Sequence, residues 1–430
     1  MTEENFSNFV LAHDDDDPAR LLLSAGRWPD IDVRRAARAI EARRKVRDKI
    51  PSWLAHPAID YPSSLSLEQC SSEETARYKQ AFVPAGGADA AGAPCAAAAA
   101  GAAAVAVADL TGGLGVDTWM LAQRSATVDY CERNPDLCAA ARHNFAELGL
   151  ANVTVHEGDG VAWLRNHPGR FSLIYLDPAR RGGRGGSGGS SSGGGSNGRR
   201  LYDIADCEPN LLEILPLLLQ KADRVLAKIS PMADITRTLS QIPEIRELHV
   251  VAAAGEVKEI LLLMEALPES AQPATHPGEN PAPKIVAVDG RIRFEFTPDE
   301  EPAAEVRYAE TVGRYLFQPS KALRKAGAFR LLSERFGLAK LAPSTHLYTG
   351  DAPTPDFPGK TFEVTEILPW NNATIKAIRQ RFDRLDLTAL NFPLDTDALR
   401  HRLSLPAGGP THAFATTLSD RQKVLIVCQP

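Results

Sequence analysis

A chain of 430 residues is too long for one typical core and predicts two or three domains. Hydrophobic residues at 44% and charged residues at 24% are ordinary globular values, and no apolar run reaches the roughly 20 residues a bilayer span needs, so a membrane protein is excluded. The net charge of −6 excludes a protein that coats nucleic acid non-specifically, since that mode needs a large positive field, and leaves local patches as the route to any nucleic acid.

The chain begins MTEENFSNF, with neither a basic segment nor a small-residue cleavage site, which predicts a cytoplasmic protein. Residues 1–83 read as a helical region: LLLSAG, then VRRAARAIEARRKVRDKI with apolar positions at helical spacing, then SSEETARYKQAF. In the last of these Ser71 and Glu74 have capping-box spacing. The tract Asp14 to Asp17 before Pro18 reads as a solvated loop or helix start, because adjacent like charges rarely converge on one ion. Residues 84–103, rich in Ala and Gly, read as a linker running into a helix or strand.

From there to about residue 268 apolar strands alternate with amphipathic helices. AVAVADL is followed by a helix from Val116, ATVDYCE by the helix PDLCAAARHNFAELG, NVTVHEGD by a short helix, and FSLIYLD by the helix NLLEILPLLLQKA. RVLAKIS, ELHVVAAAG and KEILLLMEAL complete the series. This is the pattern of an α/β domain with a parallel sheet covered on both faces. The last two strands are separated by only a short turn, so one of them is expected to run antiparallel at or near the edge. The tract 182–198, made of Gly, Ser, Asn and Arg, is expected to form a mobile loop. A Pro-rich stretch marks a boundary near 268–284, and two α+β segments follow at 284–350 and 351–430. The six cysteines (Cys70, Cys95, Cys131, Cys138, Cys207 and Cys428) are scattered without a CxxC pair or a Cys/His cluster, so neither a disulfide framework nor a metal site is indicated.

The chemistry concentrates after the first four strands. DLTGGLG, Asp109 to Gly115, stands between a strand and a helix, where glycines let the backbone turn tightly and approach a ligand. A nicotinamide-binding GxGxxG would need glycine at Thr118, and Asp109 would repel a pyrophosphate; an S-adenosylmethionine zwitterion tolerates that acid. Thr111, Gly113 and Gly115, together with Asp177 from the end of the fourth strand, would line the same cofactor pocket. Glu132 ends the second strand about 20 residues on, where a carboxylate accepts the ribose hydroxyls of an adenosine. Asp159 ends the third, in position to accept from an adenine amine. The fourth gives LDPARR, with Asp177 and Pro178 at the crevice where open α/β sheets bind ligands. The arrangement resembles the (D/N)PP(Y/F) motif of enzymes that methylate exocyclic amines, with Arg180 in place of the stacking aromatic; a guanidinium can also stack and contact phosphate. DPAR also resembles the motif of RNA 5-methyluridine methyltransferases. Their chemistry needs a cysteine nucleophile, whereas the corresponding strand end here reads AKISPM, which disfavours carbon-5 methylation.

Taken together, EQCSSEETARYK (Glu68 to Lys79), DLTGGLGVD, LDPARR, KISPMADI, VKEILL, THLYTGD, FPGK and NFP resemble a Bacteroidetes family of Rossmann-like class I S-adenosylmethionine-dependent methyltransferases with C-terminal ferredoxin-like and THUMP-like domains. The resemblance implies that residues 84–268 are the methyltransferase domain, 284–350 the ferredoxin-like domain and 351–430 the THUMP-like domain. It implies S-adenosylmethionine contacts from Asp109, Gly113, Glu132 and Asp159, with Asp177 to Arg180 facing the substrate. The segment around Gln69, Thr75 and Lys79 either closes the methionine end of the pocket or is a structural helix. A THUMP-like domain implies an RNA partner. Two basic runs accord with that: Lys321, Arg324, Lys325, Arg330, Arg335 and Lys340, then Lys376, Arg379, Arg381 and Arg384. Three functions stay open at this point: methylation of a base nitrogen in structured RNA, methylation of a protein or small molecule, and RNA binding without catalysis. The sequence leaves the oligomeric state undetermined.

Overall fold

In the computed structural model, which describes residues 3–84, 104–180, 204–266 and 282–429, apolar residues three and four apart produce the helices Glu3–Ala12, Pro18–Leu23 and Val33–Val46. The glycine tract 182–198 and nearly all of the Ala/Gly and Pro-rich stretches lie outside the described residues. Phe6, Phe9, Val10, Leu21, Val33 and Ile40 form the common core of the three helices. The acidic tract starts the second of them: Asp17 caps it by accepting from Ala19 N at 2.9 Å, while Asp14 accepts from Arg43 Nε at 2.9 Å. The next helices, Ser64–Gln69 and Glu73–Gln80, follow a short turn around Trp53. The cap of the second is Ser72, which accepts from Thr75 N, and not Ser71 as its spacing suggested. Ser71 instead donates to Asp117 at 2.8 Å, and that long-range partner decides the choice.

The chain divides into two units, Met1–Arg246 with Glu259–Asn280, and Glu247–Lys258 with Pro281–Pro430. In the first, the strands are β1 (Ala106–Asp109), β2 (Thr127–Glu132), β3 (Val153–Glu157), β4 (Phe171–Leu176), the two-residue β5 (Ala179–Arg180) and β6 (Cys207–Glu208), and β7 (Ala222–Ile229). Two more, β8 (Ile245–Ala253) and β9 (Glu256–Glu265), follow across the short turn at Ala254 and Gly255. The sheet of this unit runs β9-β7-β4-β1-β2-β3. Every pairing from β3 to β7 is parallel, and β9 is antiparallel to β7, as the short turn before it predicted, although β9 does not lie at a sheet edge. Leu173, Ile174, Tyr175 and Leu176 of β4 are all but inaccessible. Each such apolar side chain stabilises by roughly 1.5–3 kcal/mol, which fixes β4 at the centre with its polar continuation, Asp177, at the C-terminal rim. Trp53, Ile59 and Tyr61 pack against Leu114, Val116, Trp119 and Met120, so the helical region supports the helix that follows the glycine loop.

In the second unit β8 pairs in parallel with β10 (Lys284–Asp289), which pairs antiparallel with β11 (Ile292–Phe296). The remaining strands are β12 (Arg307–Tyr308), β13 (Tyr315–Pro319), β14 (Ala339–Ala342), β15 (Thr345–Gly350), β16 (Gly359–Pro369), β17 (Asp386–Leu390), β18 (His412–Thr417) and β19 (Lys423–Gln429). They form one sheet in the order β12-β14-β15-β13-β16-β19-β18-β17. Among the described residues no helix is long and apolar enough to cross a membrane.

Candidate active site

The C-terminal ends of β1, β2 and β4 bring most of the expected residues together. Between β1 and the helix Val116–Ala122 the loop is stitched to β2: Gly112 N donates to Cys131 O at 2.9 Å, and Tyr130 Oη donates to Gly113 O at 2.6 Å. Two glycines make that approach feasible. A Cβ on Gly112 would stand 2.0 Å from the Tyr130 ring, and Gly115 opens the helix at φ +88° with the Phe145 ring 2.8 Å from its Cβ position.

Asp109 points inward and is only 1% exposed. Its Oδ1 accepts from Thr111 N at 3.1 Å and its Oδ2 from Thr118 Oγ1 at 2.6 Å, so it braces the loop against the helix behind it. Burial pushes its carboxyl up to about 7, although both hydrogen bonds pull the other way. Glu132 is held by two backbone donors, Gly113 N at 3.0 Å on Oε2 and Asn134 N at 2.8 Å on Oε1. Asp159 caps the helix Gly160–Asn166 by accepting from Ala162 N at 2.8 Å, and pairs through Oδ2 with Arg133. The second arm of Arg133 reaches Glu208 Oε1 at 2.7 Å. Burial raises the Asp159 carboxyl, but the cap and Arg133 outweigh it and leave the group below the ordinary range.

Asp177 is the junction of glycine loop and substrate motif. Its backbone N donates to Thr111 Oγ1 at 2.6 Å, and Lys228 Nζ, from the end of β7, stands 2.5 Å from its Oδ2. Burial lowers the Lys228 ammonium, yet the carboxylates of Asp177, Asp117 and Glu259 push it up by more, so it stays charged. Pro178 is buried, and Arg180 lies on β5 opposite Cys207.

Behind this rim lies an ionic cluster. Lys79, with no exposed surface, donates to Ser71 Oγ at 2.9 Å, Asp117 Oδ1 at 3.0 Å and Glu259 Oε2 at 2.8 Å. Tyr175 Oη donates to Asp117 Oδ2 at 2.9 Å, and Glu259 Oε1 is buried without a partner. Burial pushes Glu259 up against the pull of Lys79 and Lys228. Of the upstream segment, Lys79 is thus locked in this cluster, Thr75 is turned to Ser72, and Gln69 is exposed.

Sequence reasoning assigned no role to Lys228, Asp117, Glu259 or Arg133. Two signals were present: a lysine inside the apolar strand RVLAKIS and a glutamate inside KEILLLMEAL. The basic runs divide. Arg330 is spent on Ala304 O, Arg335 on Glu300 and Glu295 O, Arg379 on Leu403 O and Arg402 O, and Arg381 on Glu366.

A parallel sheet joined at β7 by an antiparallel strand, with a glycine loop after β1 and acids at the following strand ends, defines a class I S-adenosylmethionine-dependent methyltransferase. The whole chain aligns with the crystal structure of a protein from Porphyromonas gingivalis W83 assigned as a methyltransferase: 34% identity, TM-score 0.79, 99% of this chain and 97% of that one. The chain belongs to this family of class I methyltransferases with C-terminal ferredoxin-like and THUMP-like domains. Family models of a ferredoxin-like domain and a THUMP domain-like region match residues 315–358 and 359–430. An uncharacterised S-adenosylmethionine-dependent methyltransferase of Mycobacterium tuberculosis is 28% identical over 331 residues, 75% of this chain and 81% of that protein. A 23S rRNA (uracil(1939)-C(5))-methyltransferase of Shewanella sp. (strain MR-4) is 40% identical over 78 residues, 18% and 17% of the two chains.

The cofactor is S-adenosylmethionine, and the residues present fit it. A Cβ on Gly113, at φ +56°, would come within 4 Å of one atom, Thr111 O at 3.9 Å, so the loop backbone is open to close approach there. The carboxylate of Glu132 is fixed by two backbone donors and retains lone pairs for further donors.

Proposed function

We propose that this enzyme methylates a base nitrogen in structured RNA. The observation that carries the reading is Asp177, whose backbone N donates to Thr111 Oγ1 of the glycine loop while its carboxylate pairs with Lys228 of β7 at the C-terminal rim of the sheet. Glu132 takes the ribose hydroxyls of the cofactor, and Gly113 lets the loop backbone approach its methionine portion, with Gly115 shaping the same loop over the Phe145 ring. Thr111 and Asp109 shape that loop, and Asp159 lies toward the adenine. S-adenosylmethionine supplies the methyl group as a sulfonium-activated electrophile.

The chain's own groups position the acceptor. Lys228 occupies Asp177 Oδ2, which leaves Oδ1 as the hydrogen-bond acceptor that would align an N–H group, with Pro178 fixing the turn and Arg180 assigned to the base or its phosphate. An amine or ring nitrogen attacks with its own lone pair, so orientation and a proton acceptor suffice. Carbon-5 chemistry would need a thiolate. Burial raises the Cys70 thiol, which donates to Leu67 O at 3.2 Å. The THUMP-like match and the partial likeness to an rRNA methyltransferase support RNA as the substrate class.

The test compares modified nucleosides by mass spectrometry in total RNA from cells with and without the gene, then restores the missing mark in vitro with labelled cofactor. One N-methylated nucleoside should vanish and return. Label appearing in protein or small molecules while the RNA nucleosides stay identical would replace this reading with the runner-up.

A further inference from the structure

We propose that Arg324, Lys340 and His346 form a phosphate-binding site in the ferredoxin-like segment, beside which the stacked rings of Phe329 and His346 receive a base of the same RNA chain. The inference rests on the RNA reading for its source of phosphate, but its geometry is independent of the methyltransferase domain.

Arg324 lies on the helix Lys321–Ala326, Lys340 on β14 and His346 on β15. Phe329 joins them: its ring stacks on His346 with centroids 3.5 Å apart and planes 15° apart, and Lys340 Nζ stands 5.6 Å from its centroid. Two nitrogens here are sealed from water without any hydrogen-bond partner, Arg324 Nε and His346 Nδ1. An unsatisfied buried polar group costs about 1–3 kcal/mol, and natural structures rarely leave two in one place unless something else completes them. Lys340, 4% exposed, donates to Pro343 O at 2.6 Å, which occupies one of its three donors.

Among the described residues no carboxylate forms an ion pair with Arg324 or Lys340, although Glu301 lies close enough to Lys340 to oppose its burial. The carboxylate in the neighbourhood, Glu301, uses both oxygens on Phe329 N, Arg330 N and Leu331 N, where it caps the helix Arg330–Phe336. Among the described residues Arg324 has no carboxylate partner. Burial pulls the Arg324 guanidinium down, and burial also lowers Lys340, with Glu301 opposing and Arg330 assisting. Burial, then Lys340 and Arg324, hold the His346 imidazole down to about 4. His346 is therefore neutral at physiological pH amid unneutralised charge, the state that a phosphate anion relieves. Arginines 330 and 335 of the same run, by contrast, are spent on acceptors of the fold itself. Base stacking on the ring pair adds contact without demanding a sequence.

The experiment uses the full chain with ¹³C-labelled histidine and follows the titration of His346, assigned with His346→Gln. Inorganic phosphate is one probe and a short fluorescent oligouridylate the other. Phosphate should raise the titration midpoint of His346 by about one unit or more, and Arg324→Gln should abolish the rise. In Arg324→Gln and Lys340→Gln together the oligouridylate should bind at least tenfold more weakly. Its log–log salt slope should flatten by about 1.4, at roughly 0.7 for each phosphate contact on a single strand. If Lys340→Gln fails to fold, Arg324→Gln carries both readouts, because its side chain is partly exposed. A His346 resonance that neither probe moves overturns the site. If phosphate moves it and the oligouridylate does not bind, the anion site stands while an RNA strand as its source is overturned, and the methylation reading is decided separately by the nucleoside comparison above.

Discussion

Lys228 Nζ and Asp177 Oδ2, 51 residues apart in sequence, meet at 2.5 Å across the ends of β7 and β4. The pair faces the crevice, so its disruption separates chemistry from binding. Asp177→Ala should leave S-adenosylmethionine affinity within about twofold and cut methyl transfer by a factor of 10² or more, as expected when a group that aligns and accepts in the transition state is removed. Single-turnover transfer from labelled cofactor, beside calorimetric titration, separates the two effects. Full activity in the variant would remove the DPAR motif from catalysis.

Glu132 makes the second prediction. Glu132→Ala loses both the proposed adenosine acceptor and the brace on Gly113 N, so cofactor binding should weaken by about 1.5–3 kcal/mol, the scale of hydrogen bonds to a charged group. Glu132→Gln, which can still accept from one donor, should lose less. Calorimetry showing wild-type affinity in the alanine variant would move the ribose elsewhere.

Lys79 tests the ionic cluster. Lys79→Met leaves Asp117 and Glu259 facing each other without their shared cation, and breaking a buried pair costs about 3–5 kcal/mol. Urea denaturation should show that loss, and Glu259→Gln added to the same chain should recover part of it, because only one unpaired charge then remains. A stability equal to wild type in Lys79→Met would mean that the cluster is solvated.

Asp109 predicts a pH dependence. Its folded carboxyl is raised to about 7 by burial, above the unfolded value of 3.8. The folded state therefore binds the proton more tightly, so the contribution to stability is fully present below about pH 4 and is lost as pH rises to about 7. Asp109→Asn cannot ionise. Relative to wild type, the variant should gain stability steadily between pH 4 and 7, by an amount on the order of a few kcal/mol. Parallel pH dependences in the two proteins would show that Asp109 is ionised throughout.

The alternation of strands and helices was legible because burial on both faces makes strands continuously apolar, and the reversal at β9 followed from a turn too short for a crossover. The glycine loop and the residues at the strand ends were legible for the same reason: the fold places them by position along the chain. Pairings that depend on strand order were not. Lys79 meets Glu259 across 180 residues and Ser71 meets Asp117 across 46, and no local pattern encodes either contact. The basic run at 321–340 looked uniform in sequence, whereas the fold spends Arg330 and Arg335 on its own acceptors and leaves Arg324 and Lys340 beside His346. Charge counts along a chain do not reveal which cations are already satisfied.

The direct antiparallel pairing of β13 with β16, and of β16 with β19, carries one sheet through both of the segments matched by separate family models. A cut after residue 358 would strip β13 of a neighbour and expose β16 as an unpaired edge, an invitation to aggregate. The ferredoxin-like and THUMP-like segments are therefore one folding unit with two faces rather than modules to be exchanged singly. Evolution or engineering that swaps the C-terminal part has to carry residues 315–429 across together.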